Sequence, residues 1–170
     1  RVRRQRQMCI RDSLYTDDPK SGNWNATPAI LHDLQDPDLF IDDDGRVYGY
    51  WGFQQSFGAE LDPVTMATVK EGTEIVTDLI PNLGQDDTFR FFEASSIRKI
   101  KDKYVFIYSR QTRNGEFGLG SSHYTLAYAY SDSPLGPFTY GGTIIDGRAR
   151  GVDHDGNPTY TAHPDGNTHG

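Results

Sequence analysis

The sequence of 170 residues contains one cysteine, Cys9, and no long apolar run. A membrane-spanning helix needs roughly 18 or more consecutive apolar residues, and no segment comes near that length. No polar tract is long enough to indicate a disordered tail. The sequence therefore predicts a soluble globular protein that does not act as a membrane component.

Residues 1–13, RVRRQRQMCIRDS, differ from the rest of the chain. They hold five arginines and the single cysteine, and they follow neither a helical nor a strand period. The letters MCIRDS match the translated end of a transposon adapter used for sequencing libraries, so we interpret the segment as an artefact. A basic nucleic-acid-binding arm and a signal peptide are alternatives, but no apolar signal region follows. Residues 14–170 then contain no cysteine, which excludes disulfides, thiol catalysis and thiolate metal sites.

Positive charge is also scarce. Without residues 1–13 the chain has 12 basic and 23 acidic side chains, a formal charge of −11. An acidic domain repels phosphate backbones, so nucleic acid is excluded as a partner. The oligomeric state is left open by the sequence.

Helical patterns are almost missing, because glycine, proline and Asp-Gly or Asn-Gly pairs interrupt each stretch before three helical turns build up. Runs of β-branched and aromatic residues between these breaks indicate an all-β chain. The predicted strands are residues 38–41, 46–53, 57–61, 74–77, 91–99, 103–109, 125–131 and 143–145.

The sequence DDDG at residues 42–45 separates two of these strands. Calcium-binding loops of the EF-hand type need acidic residues at alternate positions before the glycine, and Phe40 occupies the first of those positions. We interpret the segment as a tight turn in which Gly45 supplies a positive φ.

A repeated pattern suggests a propeller. An acidic residue, a strand, a tight turn and an aromatic strand occur in DPDLFIDDDGRVYGYWG and again about 56 residues later in FFEASSIRKIKDKYVFIYS. Repeats of four-stranded antiparallel units are typical of propeller blades, whose period is roughly 40 to 50 residues. Residues 14–170 would hold about three blades.

Four motifs in this order carry a resemblance to glycoside hydrolase family 43. They are DPDLFIDDDG at residues 36–45, FEASS at 92–96, YAYSDSP with GPF at 128–138, and GNTHG at 166–170. The family consists of five-bladed β-propeller enzymes that act on arabinose- and xylose-containing glycans. The resemblance implies a partial five-bladed propeller.

The resemblance also implies roles for two carboxylates. Family members use a general base, an aspartate that modulates the pKa of the acid and orients it, and a glutamate general acid. Asp36 matches the orienting aspartate and Glu93 the general acid. The base would lie upstream of Asp36, so residues 14–170 are interpreted as an internal fragment of a longer catalytic domain, itself inactive.

Further residues are weaker candidates. Sugar rings bind aromatic side chains through their apolar faces, and Trp51 and Phe92 are candidates for this contact, as is Phe53. The more ordinary alternative is that these rings pack between blades. His169 matches a family histidine that faces the central channel and helps to hold a metal ion. No cofactor is required, although the channel could hold a structural calcium ion.

The resulting prediction is an inverting α-L-arabinofuranosidase or β-xylosidase whose partner is an oligo- or polysaccharide. The alternatives are a carbohydrate-binding propeller without catalysis and, more weakly, a protein-interaction propeller. The exact sugar, the linkage and the choice between exo and endo action are not decided by the sequence. Localisation is also open, with secretion and a periplasmic location both compatible.

Overall fold

The computed structural model describes residues 12–15, 18–28, 34–118, 121, 123–145, 150–152 and 158–160. This part of the chain is built from strands and one short 3-10 turn at Glu116–Gly118. The strands are β1 (Asp12–Tyr15), β2 (Asn25–Pro28), β3 (Asp38–Ile41), β4 (Val47–Trp51), β5 (Phe57–Leu61), β6 (Val76–Thr77), β7 (Phe91–Ile100), β8 (Lys103–Gln111), β9 (Tyr124–Ser131), β10 (Thr139–Ile145), β11 (Arg150–Val152) and β12 (Pro158–Tyr160). The all-β prediction is confirmed.

Two four-stranded antiparallel sheets dominate the structure. Strands β3, β4, β5 and β6 form one sheet in chain order, and β7, β8, β9 and β10 form the other. A four-stranded meander of this kind is the unit of a propeller blade, and we call the two sheets the first and the second blade. Strands β1 and β2, and β11 and β12, form two further two-stranded ladders. Strand β1 includes Asp12 and Ser13, the last residues of the segment interpreted as an artefact.

Among the predicted strands, the boundaries agree with the structure at β3 and β5 and differ most at β10, and strands β1, β2, β11 and β12 were not predicted. Strand β10 begins at Thr139, four residues before the predicted start. The predicted strand started only after Gly141, and a Cβ on Gly141 would lie 2.1 Å from Cε2 of Tyr128 on β9. Glycine is therefore needed inside this strand because an aromatic ring lies against its backbone.

The core lies between the two blades. Tyr48 and Tyr50 of the first blade pack against Phe106, Tyr108 and the small side chains of the second blade. Side chains alternate along a strand, so the same strand β4 sends Val47 and Trp51 to the opposite face, where they form a smaller cluster with Ala59 and Leu61. All five residues of β4 are buried, as expected for a strand inside a stack of blades.

The DDDG segment is a turn, as predicted, and it also joins the blades. Gly45 has a φ of 82°, and its N–H donates to the carbonyl of Asp42 at 2.9 Å. The Asp42 carboxylate is buried and accepts hydrogen bonds from Lys99 Nζ at 2.8 Å and from the Tyr104 hydroxyl of the second blade. Burial alone would raise the pKa of Asp42, but these bonds and the N–H of Asp43 outweigh it and hold the pKa below its ordinary value.

Among the described residues, no helix is long and apolar enough to cross a membrane.

Candidate active site

The two predicted catalytic carboxylates line one cleft of about 690 Å³. One wall consists of residues 35–38, which lead into β3, and the other of residues 93–96 on β7, with Ile107 and Leu126 completing it. Strands β3 and β7 are the first strands of consecutive blades and lie at corresponding edges of their sheets. The structure therefore brings Asp36 and Glu93, 57 positions apart in the sequence, to the same place.

Glu93 lies on an irregular part of β7. The pairing register between β7 and β8 shifts between Phe91 and Glu93 and again between Glu93 and Ser96. Each shift inserts an extra residue into β7, which is the feature of a β-bulge. Bulges redirect side chains and often occur beside active sites, and here two of them enclose the predicted proton donor.

The backbone around Glu93 is also unusual. Arg90 and Ala94 have φ values of 48° and 53°, in the left-handed region that few residues other than glycine adopt. Such conformations cost about 1–3 kcal/mol each and cluster at functional sites. The Arg90 guanidinium is buried and donates to the carbonyls of Gln111 and Thr112, both at 2.7 Å. The basic residue closest in sequence to Glu93 is thus held by its own partners.

Asp36 is exposed at the other wall and has a φ of 46°. Aspartate tolerates this region better than most residues, because its short polar side chain can hydrogen-bond locally. The preceding residue is tied to the β4–β5 loop, since the N–H of Gly52 donates to the carbonyl of Gln35 at 2.9 Å. The position of Asp36 is therefore set by the first blade.

Asp38 joins the two walls and was not singled out by the sequence. Its Oδ2 accepts a hydrogen bond from the backbone N–H of Ile97 on β7 at 2.9 Å and lies 3.3 Å from Arg98 Nη1. The repeated aspartate in DPD was the available signal, but the sequence alone does not show that its partner is a backbone amide 59 positions away.

Two buried serine hydroxyls lie close to Glu93 in the sheet. Ser95 lines the cleft, and Ser109 on β8 is the register partner of Glu93. Among the described residues, neither Oγ atom has a hydrogen-bond partner, although Ser95 is 6% exposed and Ser109 is 0% exposed. Buried polar atoms usually have partners, so each of these atoms requires an explanation.

The aromatic candidates occupy different environments. Trp51 is 1% exposed and stacks on Phe57 within the first blade, with ring centroids 5.7 Å apart, and it is not a wall of the cleft. Phe92 is 7% exposed and lies between Phe53 and Tyr124, each with its ring centroid 4.9 Å away. Phe53 is 42% exposed and is the most exposed ring of this trio, although Phe53 and Phe92, like Trp51, are not among the residues that line the cleft.

The predicted metal-associated residue, His169, lies outside the described residues. Within the described part, no group of three or more His, Cys, Asp or Glu side chains is placed to share a metal ion. The donor set for a channel calcium ion thus lacks support from these residues, and the ion remains a prediction.

Two curated proteins are similar in sequence to this chain. The curated protein named Beta-xylosidase from Xylanibacter ruminicola is 33% identical over 158 residues, which cover 76% of this chain and 44% of that protein. Xylosidase/arabinosidase 43A from Humicola insolens is 32% identical over 182 residues, covering 84% of this chain and 53% of that protein. The chain thus spans about half the length of these curated relatives.

A solved structure shows the same fold. The arabinoxylan arabinofuranohydrolase of family 43 from Bacillus subtilis, in complex with cellotetraose, has a TM-score of 0.54 and is 24% identical, covering 78% of this chain and 30% of that chain. The two blades are accordingly part of a β-propeller. The model of the family described as Glycosyl hydrolases family 43 matches residues 8–169. This chain belongs to glycosyl hydrolase family 43.

Proposed function

We propose that this chain is part of an inverting glycosidase in which Glu93 is the general acid and Asp36 orients it and favours its protonated form. The observation that carries the proposal is that the two side chains line one cleft from neighbouring blades. A negative charge near a carboxylic acid disfavours a second negative charge, which is the effect the orienting role requires.

The proposed reaction uses two carboxyl groups on opposite faces of the sugar. The acid transfers its proton to the glycosidic oxygen as the bond to the anomeric carbon breaks. A carboxylate on the other side removes a proton from the attacking water, so the product has the opposite anomeric configuration. Asp36 and Glu93 both have other roles in this account, and the base would come from a preceding part of a longer polypeptide. Because the chain covers about half of its relatives, such a polypeptide is compatible with the comparisons.

We propose glycans containing xylose or arabinose as substrates. This class is supported by the names of the relatives, which include a beta-xylosidase and a xylosidase/arabinosidase. No channel ion is needed for the proton transfer assigned to Glu93.

The exposed ring of Phe53 is the aromatic surface that we propose contacts the sugar. It packs on Phe92, the residue before Glu93, and the N–H of Gln54 donates to the Phe92 carbonyl at 2.6 Å. A general acid lies beside the leaving oxygen. Because Phe53 packs on the residue before Glu93, we expect its ring to contact the leaving-group sugar. Phe92 then supports Phe53 and does not present a large surface of its own.

The alternative is a propeller that binds carbohydrate without hydrolysing it. Such a protein has no need for two carboxylates in one cleft, nor for a strained and doubly bulged strand beside one of them. These features favour the enzyme.

The test uses the complete reading frame that contains this chain. Proton NMR of the first product formed from xylo-oligosaccharides or arabinosides should show the inverted anomer. Glu93→Gln should stop hydrolysis while the protein still binds the oligosaccharide in a titration. Binding without turnover by the wild-type protein would favour the carbohydrate-binding module, and a product with retained configuration would contradict the inverting mechanism. Residues 1–170 alone should show no turnover, and robust turnover would contradict the external base.

A further inference from the structure

Ser109 lies directly across the sheet from Glu93. In the register of the second blade, Ser109 on β8 pairs with Glu93 on β7 and with Leu126 on β9. Paired residues of an antiparallel ladder share a face and have Cβ atoms about 4.5–5.5 Å apart. Glu93 and Leu126 both line the cleft, as does Ile107 two positions before Ser109 on the same strand. Ser109 is therefore on the same face of the sheet as these residues and beside the predicted proton donor, although it is fully buried and does not itself line the cleft.

The hydroxyl of Ser109 is buried without a partner. The residue is 0% exposed, and its Oγ forms no hydrogen bond within the part of the chain that the structure describes. A buried hydroxyl in that condition is unfavourable, whereas an alanine of nearly the same size would leave no polar atom unpaired. Ser109 has two partners in the register. Glu93 carries a carboxyl group, and Leu126 is apolar.

We propose that Ser109 is a positioning residue that hydrogen-bonds the Glu93 carboxyl group during the reaction. The inference rests on the proposed role of Glu93 as general acid. A hydroxyl can accept a hydrogen bond from a protonated carboxylic acid and can donate one to a carboxylate. Ser109 therefore suits the carboxyl group both before and after Glu93 gives its proton to the glycosidic oxygen. The hydroxyl keeps its own proton, and no covalent bond at Ser109 forms or breaks.

The register distinguishes Ser109 from the other polar groups near this position. Ser95 lies in the bulged segment of β7 itself and has no partner on β8 in the register. Arg110, the neighbour of Ser109, directs its guanidinium to the carbonyl of Thr88 and the carboxylate of Glu116. A serine at the position paired with the acid is therefore the group best placed to hold it.

The experiment compares leaving groups in the complete protein. A glycoside with a sugar or another poor leaving group needs protonation of its leaving oxygen, whereas a glycosyl fluoride needs no general acid. Ser109→Ala should lower kcat on the poor leaving group roughly 10- to 100-fold, the effect of losing one hydrogen bond to an ionisable group. It should leave kcat on the glycosyl fluoride within about twofold of the wild-type value. Ser109→Thr, which keeps the hydroxyl, should restore most of the loss if its melting temperature is normal.

A matched control is Ser131→Ala, which removes another buried serine hydroxyl from the same blade, away from the cleft. It should change kcat on both substrates equally or leave both values unchanged. Equal losses on both substrates in Ser109→Ala, or no loss on either, would overturn the inference. A selective loss in Ser95→Ala and not in Ser109→Ala would also overturn it. If Glu93→Gln kept its activity on the poor leaving group, the proposed function itself would fail, and this outcome is separate from a failure of Ser109 alone.

Discussion

Asp38 and Ile97 connect the two walls of the cleft, because the backbone N–H of Ile97 donates a hydrogen bond to Asp38 Oδ2 at 2.9 Å. Asp38 follows Asp36 by two residues, and Ile97 follows Glu93 by four. This side chain to backbone bond therefore helps to fix the relative position of the two predicted catalytic carboxylates, together with the bond from the Gln54 N–H to the Phe92 carbonyl. Asp38 is thus a structural tie between these walls.

Replacement of Asp38 should affect stability and catalysis together. Asp38→Ala leaves the N–H of Ile97 without this acceptor, and the free energy of unfolding should fall by about 1–3 kcal/mol. The two walls should also lose their fixed separation, so kcat should fall by more than the unfolded fraction explains. Urea unfolding and steady-state kinetics on the complete protein measure the two effects.

The control is Arg98→Ala, which removes the exposed partner of the same carboxylate. The Arg98 side chain is 63% exposed, and exposed ion pairs contribute about 0–1 kcal/mol. A loss of stability in Arg98→Ala as large as that in Asp38→Ala would show that the ion pair, and not the bond to Ile97, joins the walls.

The ion pair between Lys99 and Asp42 is another contact between the blades, and it should contribute strongly to stability because the Asp42 carboxylate is buried. Lys99→Met removes a hydrogen bond from the Asp42 carboxylate, whose side chain is only 3% exposed. The free energy of unfolding should fall by roughly 1–3 kcal/mol, since a buried acceptor loses a charged donor. Lys103→Met is the matched control, because Lys103 pairs with Asp132, whose side chain is 83% exposed, and the effect should be below about 1 kcal/mol. Equal effects in urea unfolding would contradict the assigned role of Lys99.

The same network predicts a dependence of stability on pH. The pKa of Asp42 in the folded protein lies below its ordinary value of 3.8, against the raising effect of burial, because Lys99 and Tyr104 donate to its charged form. The unfolded chain then binds the proton more readily, so the contribution to stability is complete above the ordinary value and is lost as the pH falls through the folded value. Unfolding free energies measured between about pH 5 and pH 2 should decline less steeply in Asp42→Asn than in the wild-type protein. A decline of the same steepness in both proteins would show that Asp42 does not cause this pH dependence of stability.

Phe53 should affect the binding of long substrates. Phe53→Ala should raise KM for oligosaccharides roughly 2- to 10-fold, which corresponds to the loss of one aromatic contact. It should not change kinetics on a glycosyl fluoride, which lacks a leaving-group sugar. Phe53→Tyr keeps the ring and should behave like the wild-type protein. An equal change in the kinetics on both substrates would show that the Phe53 ring does not contact the leaving-group sugar.

The sequence predicted the parts of the fold that depend on local pattern. Strands β3 and β5 have the predicted boundaries because each short run with apolar residues ends at a clear turn signal. The turn at residues 42–45 was also recognised, since Asp-Gly pairs favour a positive φ. The partial propeller was indicated by the repeated pattern as well as by the family resemblance, whereas the shared position of Asp36 and Glu93 came from the resemblance, because no local pattern relates residues so far apart.

Other features depend on tertiary contacts that leave little trace in the sequence. The bulges on either side of Glu93 change the register of β7, yet the residues FFEASS read as an uninterrupted strand. The predicted strand at residues 143–145 left out Gly141, which lies inside β10 and makes room for the ring of Tyr128. Trp51 could not be separated from Phe53 by pattern, because burial inside the first blade depends on which face meets the neighbouring strands.

The most direct test of the central claim measures the reaction of Glu93→Gln with two leaving groups in the complete protein. If Glu93 is the proton donor, kcat on a natural glycoside should fall by about 10²- to 10⁴-fold, the usual contribution of a general acid, while the glycosyl fluoride of the same sugar should be hydrolysed at close to the wild-type rate. Near-normal hydrolysis of the natural glycoside, or an equal loss on both substrates, would contradict the assignment of Glu93 as the proton donor.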